Sequence, residues 1–150
     1  MELSNTEYLA RIGLAFLLGA SIGIERELHH RPAGLRTHAL VAVGAALITL
    51  VSIYGFSDVV GSAGVDLDPS RIAAQVISGI GFIGAGTIIA HSDRVQGLTT
   101  AASMWTVAAI GLACGTGLFV PAIATTVVAL IILVPFKYVE EHVFHRTTER

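Results

Sequence analysis

Residues 72–90 read IAAQVISGIGFIGAGTIIA, nineteen positions without a charged side chain. A bilayer core about 30 Å thick takes roughly 20 apolar helical residues, so this run is expected to cross a membrane. The same test applied outward finds four more runs. Tyr8–Ile24 is apolar apart from Arg11, Thr37–Tyr54 holds only His38 at its start, and Leu98–Cys114 carries no charge. Leu118–Phe136 follows Gly115-Thr116-Gly117, a turn after which Pro121 suits the start of a new helix. The intervening segments 25–36, 55–71 and 91–97 hold the charges and turn residues. The expected fold is all-α: a polytopic transmembrane helix bundle of about five spans (8–24, 37–54, 72–90, 98–114 and 118–136) in a single domain, followed by a short tail, 137–150.

Composition agrees. Of 150 residues, 53% are hydrophobic and 13% charged, whereas a soluble domain keeps about a quarter charged. A net charge of −2 gives no basic face for releasing phosphate counterions, which excludes nucleic acid as a partner. The lone Cys114 has no internal disulfide partner and sits in an apolar run, as a small buried hydrophobe does.

Short-loop Lys and Arg mark the cytoplasmic side. Arg26, Arg31 and Arg36 precede the second run, Arg94 precedes the fourth, and Lys137, Arg146 and Arg150 follow the fifth. Only Arg11 and Arg71 fall on the other side. The N-terminus is therefore expected outside, with Asp58, Asp66 and Asp68, and the C-terminus in the cytoplasm. Glu2 and Glu7 before the first run, with no basic segment, fit a cleaved signal peptide poorly. Ser4 with Glu7 has capping-box spacing, and Asp68-Pro69 suits an N-cap and first helical position. Each outer arginine then has an acid on its own helix face, Glu7 for Arg11 and Asp68 for Arg71, the latter an expected outer-edge ion pair.

Lipid is as apolar as leucine, so helices associate where small residues let backbones approach. Ala15, Gly19 and Gly23 form a four-spaced row; Gly81 with Ala85 and Gly111 with Gly115 are further pairs. Gly79-Ile-Gly81-Phe-Ile-Gly84 spells GxGxxG, but no strand precedes it, so packing explains it better than a dinucleotide. Gly79, Gly81, Gly84 and Gly86 would also loosen their helix. Gly34-Leu35 and Gly97-Leu98 lead into the second and fourth runs, and Arg11-Ile12 and Arg71-Ile72 open the first and third, the outline of a parallel duplication.

The candidate chemistry lies in Glu25-Arg26-Glu27-Leu28-His29-His30-Arg31-Pro32-Ala33-Gly34-Leu35-Arg36-Thr37-His38. Pro32 and Gly34 favour a tight re-entry turn that would gather Arg31, Arg36 and Thr37 at the inner membrane edge. Two readings stand side by side: a site for an anion, an anionic lipid or an acidic partner surface, and an ordinary positive-inside anchor. His29 and His30 diverge on a helix and lack zinc spacing, so no metal site is expected. No nucleophile elbow or HExxH motif occurs, and a Ser103–His38 hydrolase has no motif behind it; the expectation is no enzyme and no cofactor. Cation transport competes, yet no run holds an interior Asp or Glu, and a path would rely on Gln75, Thr87, Thr99, Thr100, Ser103 or backbone carbonyls.

Gly19-Ala-Ser-Ile-Gly23-Ile-Glu25-Arg26-Glu27, Arg31-Pro-Ala-Gly-Leu-Arg36-Thr37-His38, Asp68-Pro-Ser-Arg71-Ile-Ala-Ala-Gln75, Gly79-Ile-Gly81-Phe-Ile-Gly84-Ala-Gly86 and Gly97-Leu-Thr99-Thr100-Ala-Ala-Ser103-Met-Trp105 together resemble the MgtC/SapB family of bacterial inner-membrane proteins. The resemblance implies a multi-pass protein linked to growth in low Mg²⁺ and to survival inside host cells. It implies a regulator of other membrane machinery, ATP synthase included, and the alternative is an oligomeric transporter of Mg²⁺ or another cation. Longer members carry a cytoplasmic domain after the last span, so this chain is expected to be a short form. By motif, Glu25, Arg26, Arg31, Arg36, Thr37, His38, Gln75, Thr99, Thr100, Ser103 and Trp105 are expected to form one polar cluster facing the cytoplasm. Glu25 is expected to pair with Arg26, Arg31 or Arg36, and the glycine-lined faces left over imply a homo-oligomer in the lipid bilayer.

Overall fold

The computed structural model describes residues 3–56 and 68–135. It holds five helices: α1 (Asn5–Leu28), α2 (Leu35–Tyr54), α3 (Pro69–Ala85), α4 (Leu98–Thr116) and α5 (Phe119–Leu133). A two-stranded hairpin, β1 (Ile89–Ala90) with β2 (Val95–Gln96), lies between α3 and α4. Among these helices α1, α2 and α4 are long and apolar enough to cross a membrane. At about 1.5 Å per residue, the 17 residues of α3 and 15 of α5 fall short of the roughly 30 Å core. The all-α class is as expected.

Contacts fix how the helices run. Arg11 near the start of α1 reaches Tyr54 at the end of α2 and Gly115 near the end of α4, while His38 early in α2 meets Ser103 early in α4. Thus α1 runs against α2 and α4, which are parallel to each other. Gly84 near the end of α3 lies against Ala101 near the start of α4, so α3 is also antiparallel to α4. α4 packs against all four other helices and carries the buried Met104, Val107, Ala108, Ile110 and Cys114. Cys114 is a free buried thiol within this core.

Small residues set the spacing. A Cβ on Gly19 would lie 2.5 Å from the Ala42 Cβ, and one on Gly23 would lie 2.7 Å from the Leu35 Cα. The row that includes Ala15, itself fully buried, therefore docks α1 on α2 within one chain. In α3 the outcome differs: Gly79 and Gly81 have nothing within 4 Å of a built Cβ, and Gly84 alone meets another helix. A Cβ on Gly86 would meet only its own helix's Ile83 and Phe82 carbonyls. α3 remains helical through Gly79 and Gly81.

Three further expectations need correction. The third apolar run does not continue as helix to residue 90. α3 stops at Ala85, where the Thr87 hydroxyl donates to the Gly84 carbonyl at 2.7 Å, and Ile89–Ala90 pair with Val95–Gln96. An apolar run bounds what lipid tolerates but does not distinguish strand from helix over so few residues. The second correction concerns Arg11. Glu7 closes the capping box with Ser4, and Arg11 Nη1 instead donates to the Gly115 carbonyl at 2.7 Å and the Tyr54 hydroxyl at 3.5 Å. Its guanidinium lies 5.9 Å from the Tyr54 ring centroid. A cation on the last carbonyls of α4 complements the helix dipole. Third, no ion pair within 4 Å joins Asp68 to Arg71 among the described residues. Asp68 caps α3 by accepting from Ser70, and those hydrogen bonds, side chain first, hold its carboxyl below the usual range. The expected outer acids Asp58 and Asp66 and the tail 137–150 lie outside the described residues.

Both α2 and α4 begin after a glycine N-cap, Gly34 and Gly97, as the paired Gly-Leu motifs suggest, though the preceding connections differ. Gly97 sits at φ +89°, and a Cβ there would come 1.9 Å from the Thr87 carbonyl oxygen. Gly97→Ala is therefore expected to destabilise the hairpin–α4 junction by about 1–3 kcal/mol from backbone strain alone. A lowered thermal midpoint of the purified protein in detergent is the check, and an unchanged midpoint would contradict the geometry.

Candidate functional site

The site is built at the end of the bundle where α1 finishes and α2 and α4 begin. Glu25 and Arg26 occupy the last turn of α1 and are 6% and 2% exposed. Arg26 Nε donates to Glu25 Oε2. Neighbouring helical positions do not normally face each other, so this pair forms because both side chains bend into the same buried space. His29, at the C-cap, lies four residues beyond Glu25. Its Nδ1 is 3.0 Å from Glu25 Oε1 and hydrogen-bonds the Glu25 backbone carbonyl at 2.8 Å. Glu25 Oε1 is left buried without a hydrogen bond of its own, next to a histidine that becomes its charge partner on protonation.

The turn into α2 depends on Glu27 and Gly34. Gly34 has no side chain with which to cap, and Glu27 Oε2 accepts from the Leu35 N–H at 3.1 Å in its place. A carboxylate there also suits the positive end of the α2 dipole. A Cβ on Gly34 would lie 1.7 Å from that oxygen, so a side chain there would push the Glu27 carboxylate out of its capping position. One turn further on, His38 is fully buried. Its Nδ1 is 3.0 Å from the Gly34 carbonyl and its Nε2 is 2.9 Å from Ser103 Oγ. Ser103 Oγ also lies 2.8 Å from the Thr100 carbonyl. The charges of Arg26 and Glu25 act on the His38 ring, so the α1 pair and the His38–Ser103 contact belong to one polar site.

Five of the expected residues thus come together, buried: Glu25, Arg26, His38, Thr100 and Ser103. The others do not join them. Arg31 and Arg36 are exposed and hold no side-chain bond or ion pair among the described residues, and Arg26 is the arginine that Glu25 takes. Thr37 is half-buried and Thr99 exposed at the rim. Trp105 is 51% exposed on the outside of α4. Gln75 is exposed in a separate groove of about 980 Å³ between α2 and α3, lined also by Gly44, Gly79, Phe82 and Ala108. The expected single cluster is therefore a buried core with an arginine rim, and Gln75 and Trp105 stand apart from it. Spacing on a helix gives the face but not the rotation of that helix against its neighbours. Sequence reasoning missed His29 and Glu27, although the four-residue step from Glu25 to His29 was available as a signal.

No group of three or more His, Cys, Asp or Glu side chains among the described residues is placed to hold a metal ion. Ser103 also lines an apolar cavity of about 320 Å³ between α4 and α5, with Ile22, Thr106, Val128 and Leu133. The Ser103–His38 contact has the length of a nucleophile–base pair. His38 Nδ1, however, faces the Gly34 carbonyl rather than a carboxylate.

The model of the MgtC family matches residues 12–142. This chain belongs to the MgtC family. It is 46% identical over 146 residues to the putative magnesium transporter YhiD of Escherichia coli K12, covering 97% of this chain and 64% of that protein. It is 48% identical over 123 residues to protein MgtC of Salmonella typhimurium LT2, covering 82% of this chain and 49% of that protein. An uncharacterized Synechocystis protein, slr0014, is 41% identical over 140 residues, covering 93% and 56% respectively. The chain spans half to two thirds of the length of these relatives. No solved structure matches it significantly. Membership and the three helices long and apolar enough to cross a bilayer together make this chain a membrane protein of the MgtC family.

Proposed function

We propose that this protein is a non-enzymatic regulator in the bacterial cytoplasmic membrane, active under magnesium limitation through its buried polar site and arginine rim. The chain crosses the membrane five times, with the N-terminus outside and the C-terminus in the cytoplasm. Arg26, Arg31, Arg36 and Arg94 belong to the end where α2 and α4 begin, which the positive-inside rule assigns to the cytoplasm. Arg11, at the other end, has its charge taken up by the Gly115 carbonyl and Tyr54. The short α3 and α5 and the open α2–α3 groove support assembly with further copies. Exposed Arg31 and Arg36 suit a partner of negative charge: an anion, an anionic lipid, or an acidic surface on machinery such as ATP synthase.

The observation that carries this reading over transport is where the carboxylates are. Mg²⁺ is held by oxygen ligands and sheds water reluctantly. The buried carboxylate Glu25 is committed to Arg26 and faces His29, and no acid lies between Gly13 and Gly23, Ala39 and Leu50, or Val76 and Ala85. The alternative, an oligomeric transporter of Mg²⁺ or another cation, draws on the name of the E. coli relative and on Gln75 in the open groove, where copies could complete a path. Purified protein in vesicles decides between them. The expected result is no saturable Mg²⁺ flux above empty vesicles. Saturable flux that falls in Gln75→Ala would overturn the regulator reading.

A further inference from the structure

Ser103 Oγ carries one hydrogen and faces two acceptors. The Thr100 carbonyl, 2.8 Å away, can only accept, and His38 Nε2, 2.9 Å away, accepts in a neutral ring and donates in a charged one. The Gly34 carbonyl, 3.0 Å from Nδ1, can only accept as well, so Nδ1 carries a hydrogen in either state. With a neutral ring, the Ser103 hydroxyl donates to Nε2 and the Thr100 carbonyl loses that bond. With a proton on Nε2, the ring donates to Ser103 Oγ, the hydroxyl turns to Thr100, and all three contacts are satisfied together. The geometry thus fits the doubly protonated ring completely and the neutral ring incompletely.

We propose that the His38–Ser103 pair is a proton-binding switch: uptake of one proton on His38 Nε2 reverses the hydrogen bond joining α2 to α4 and sends the Ser103 hydroxyl to the Thr100 carbonyl. The proton is exchanged with bulk water, with no covalent bond between heavy atoms made or broken. The ring is fully buried, so the added charge has to be met by the groups around it. From α1, the Arg26 charge opposes a positive ring and the Glu25 charge favours it, and His29 contacts Glu25. Glu25 Oε1 is buried without a hydrogen bond, 3.0 Å from His29 Nδ1. From α4 the facing groups are the neutral Thr100 and Ser103, and neither 72–85 of α3 nor α5 contains a titratable side chain. His29, with 26% of its side chain exposed, is the member nearest to water. The switch goes beyond the regulator reading and stands whether the protein regulates or transports.

The test is side-chain nitrogen NMR of protein labelled at histidine and reconstituted in lipid bilayers, titrated between pH 5 and 8, with His38→Gln and His29→Gln assigning the rings by difference. The expected result is one ring, absent from His38→Gln and present in His29→Gln, that is neutral with its hydrogen on Nδ1 at the alkaline end and doubly protonated at the acid end, reversibly. In Ser103→Ala that ring should keep its Nδ1 hydrogen bond and lose the one at Nε2. Unchanged signals from the other histidines show that each variant is folded. A His38 ring that keeps one protonation state throughout, or that is neutral with its hydrogen on Nε2, overturns the proposal.

Discussion

Gly111→Val is expected to be among the most damaging substitutions in the helix bundle, lowering stability by about 3 kcal/mol. A Cβ at Gly111 would lie 2.3 Å from the Ala42 carbonyl oxygen and 2.8 Å from the Ala45 Cβ, and neither is the flexible end of a side chain. α2 has no room to withdraw, because Gly19 of α1 presses on Ala42 from another side, its own built Cβ 2.5 Å from the Ala42 Cβ. Relief at one contact therefore tightens the other. Against a total stability of about 5–15 kcal/mol for a typical domain, such a loss removes a large share. Gly13→Val is the matched control, since nothing lies within 4 Å of a Cβ there. Thermal midpoints in detergent should separate the two variants widely. Similar midpoints would show that α2 and α4 do not meet at Gly111.

That contact also shows how far the sequence could be read. The pairs Gly111–Gly115 and Gly19–Gly23 stand out by spacing, and both face α2. Gly79 and Gly81 stand out equally and face open space. Four-residue spacing puts small residues on one face without saying whether another helix lies against it. The caps were legible because they are local: Ser4 with Glu7, and Asp68 ahead of Pro69, act within one turn. Arg11 was not, since its partners Tyr54 and Gly115 are distant in sequence and an acid at helical spacing offered a nearer answer. The polar site was half legible for the same reason. Motif resemblance marked Glu25, Arg26, His38, Thr100 and Ser103 together with Arg31, Arg36, Gln75 and Trp105, and only the rotations of α1, α2 and α4 divide the buried set from the exposed one. The hairpin at Ile89–Ala90 was hidden by an apolar composition that suits strand and helix alike.

Glu25→Ala carries the second large effect, and its value lies in separating structure from function. Removing the carboxylate leaves Arg26, 2% exposed, buried without its partner, and breaking a buried pair this way costs about 3–5 kcal/mol. Low protein level or a depressed thermal midpoint is therefore expected from the single variant, and a growth defect in it would be ambiguous. The double variant Glu25→Leu with Arg26→Met resolves this, because an apolar pair of similar volume is often neutral or stabilising where an ion pair was buried. Its midpoint is expected to recover most of the loss. If the charges do the regulatory work, the stable double variant will still fail to support growth at limiting Mg²⁺, at wild-type protein level. Normal growth of that variant would reduce Glu25 and Arg26 to scaffolding and move the functional weight to the exposed rim, where Arg31→Ala with Arg36→Ala, two positions without a folding role in the described chain, becomes the deciding comparison.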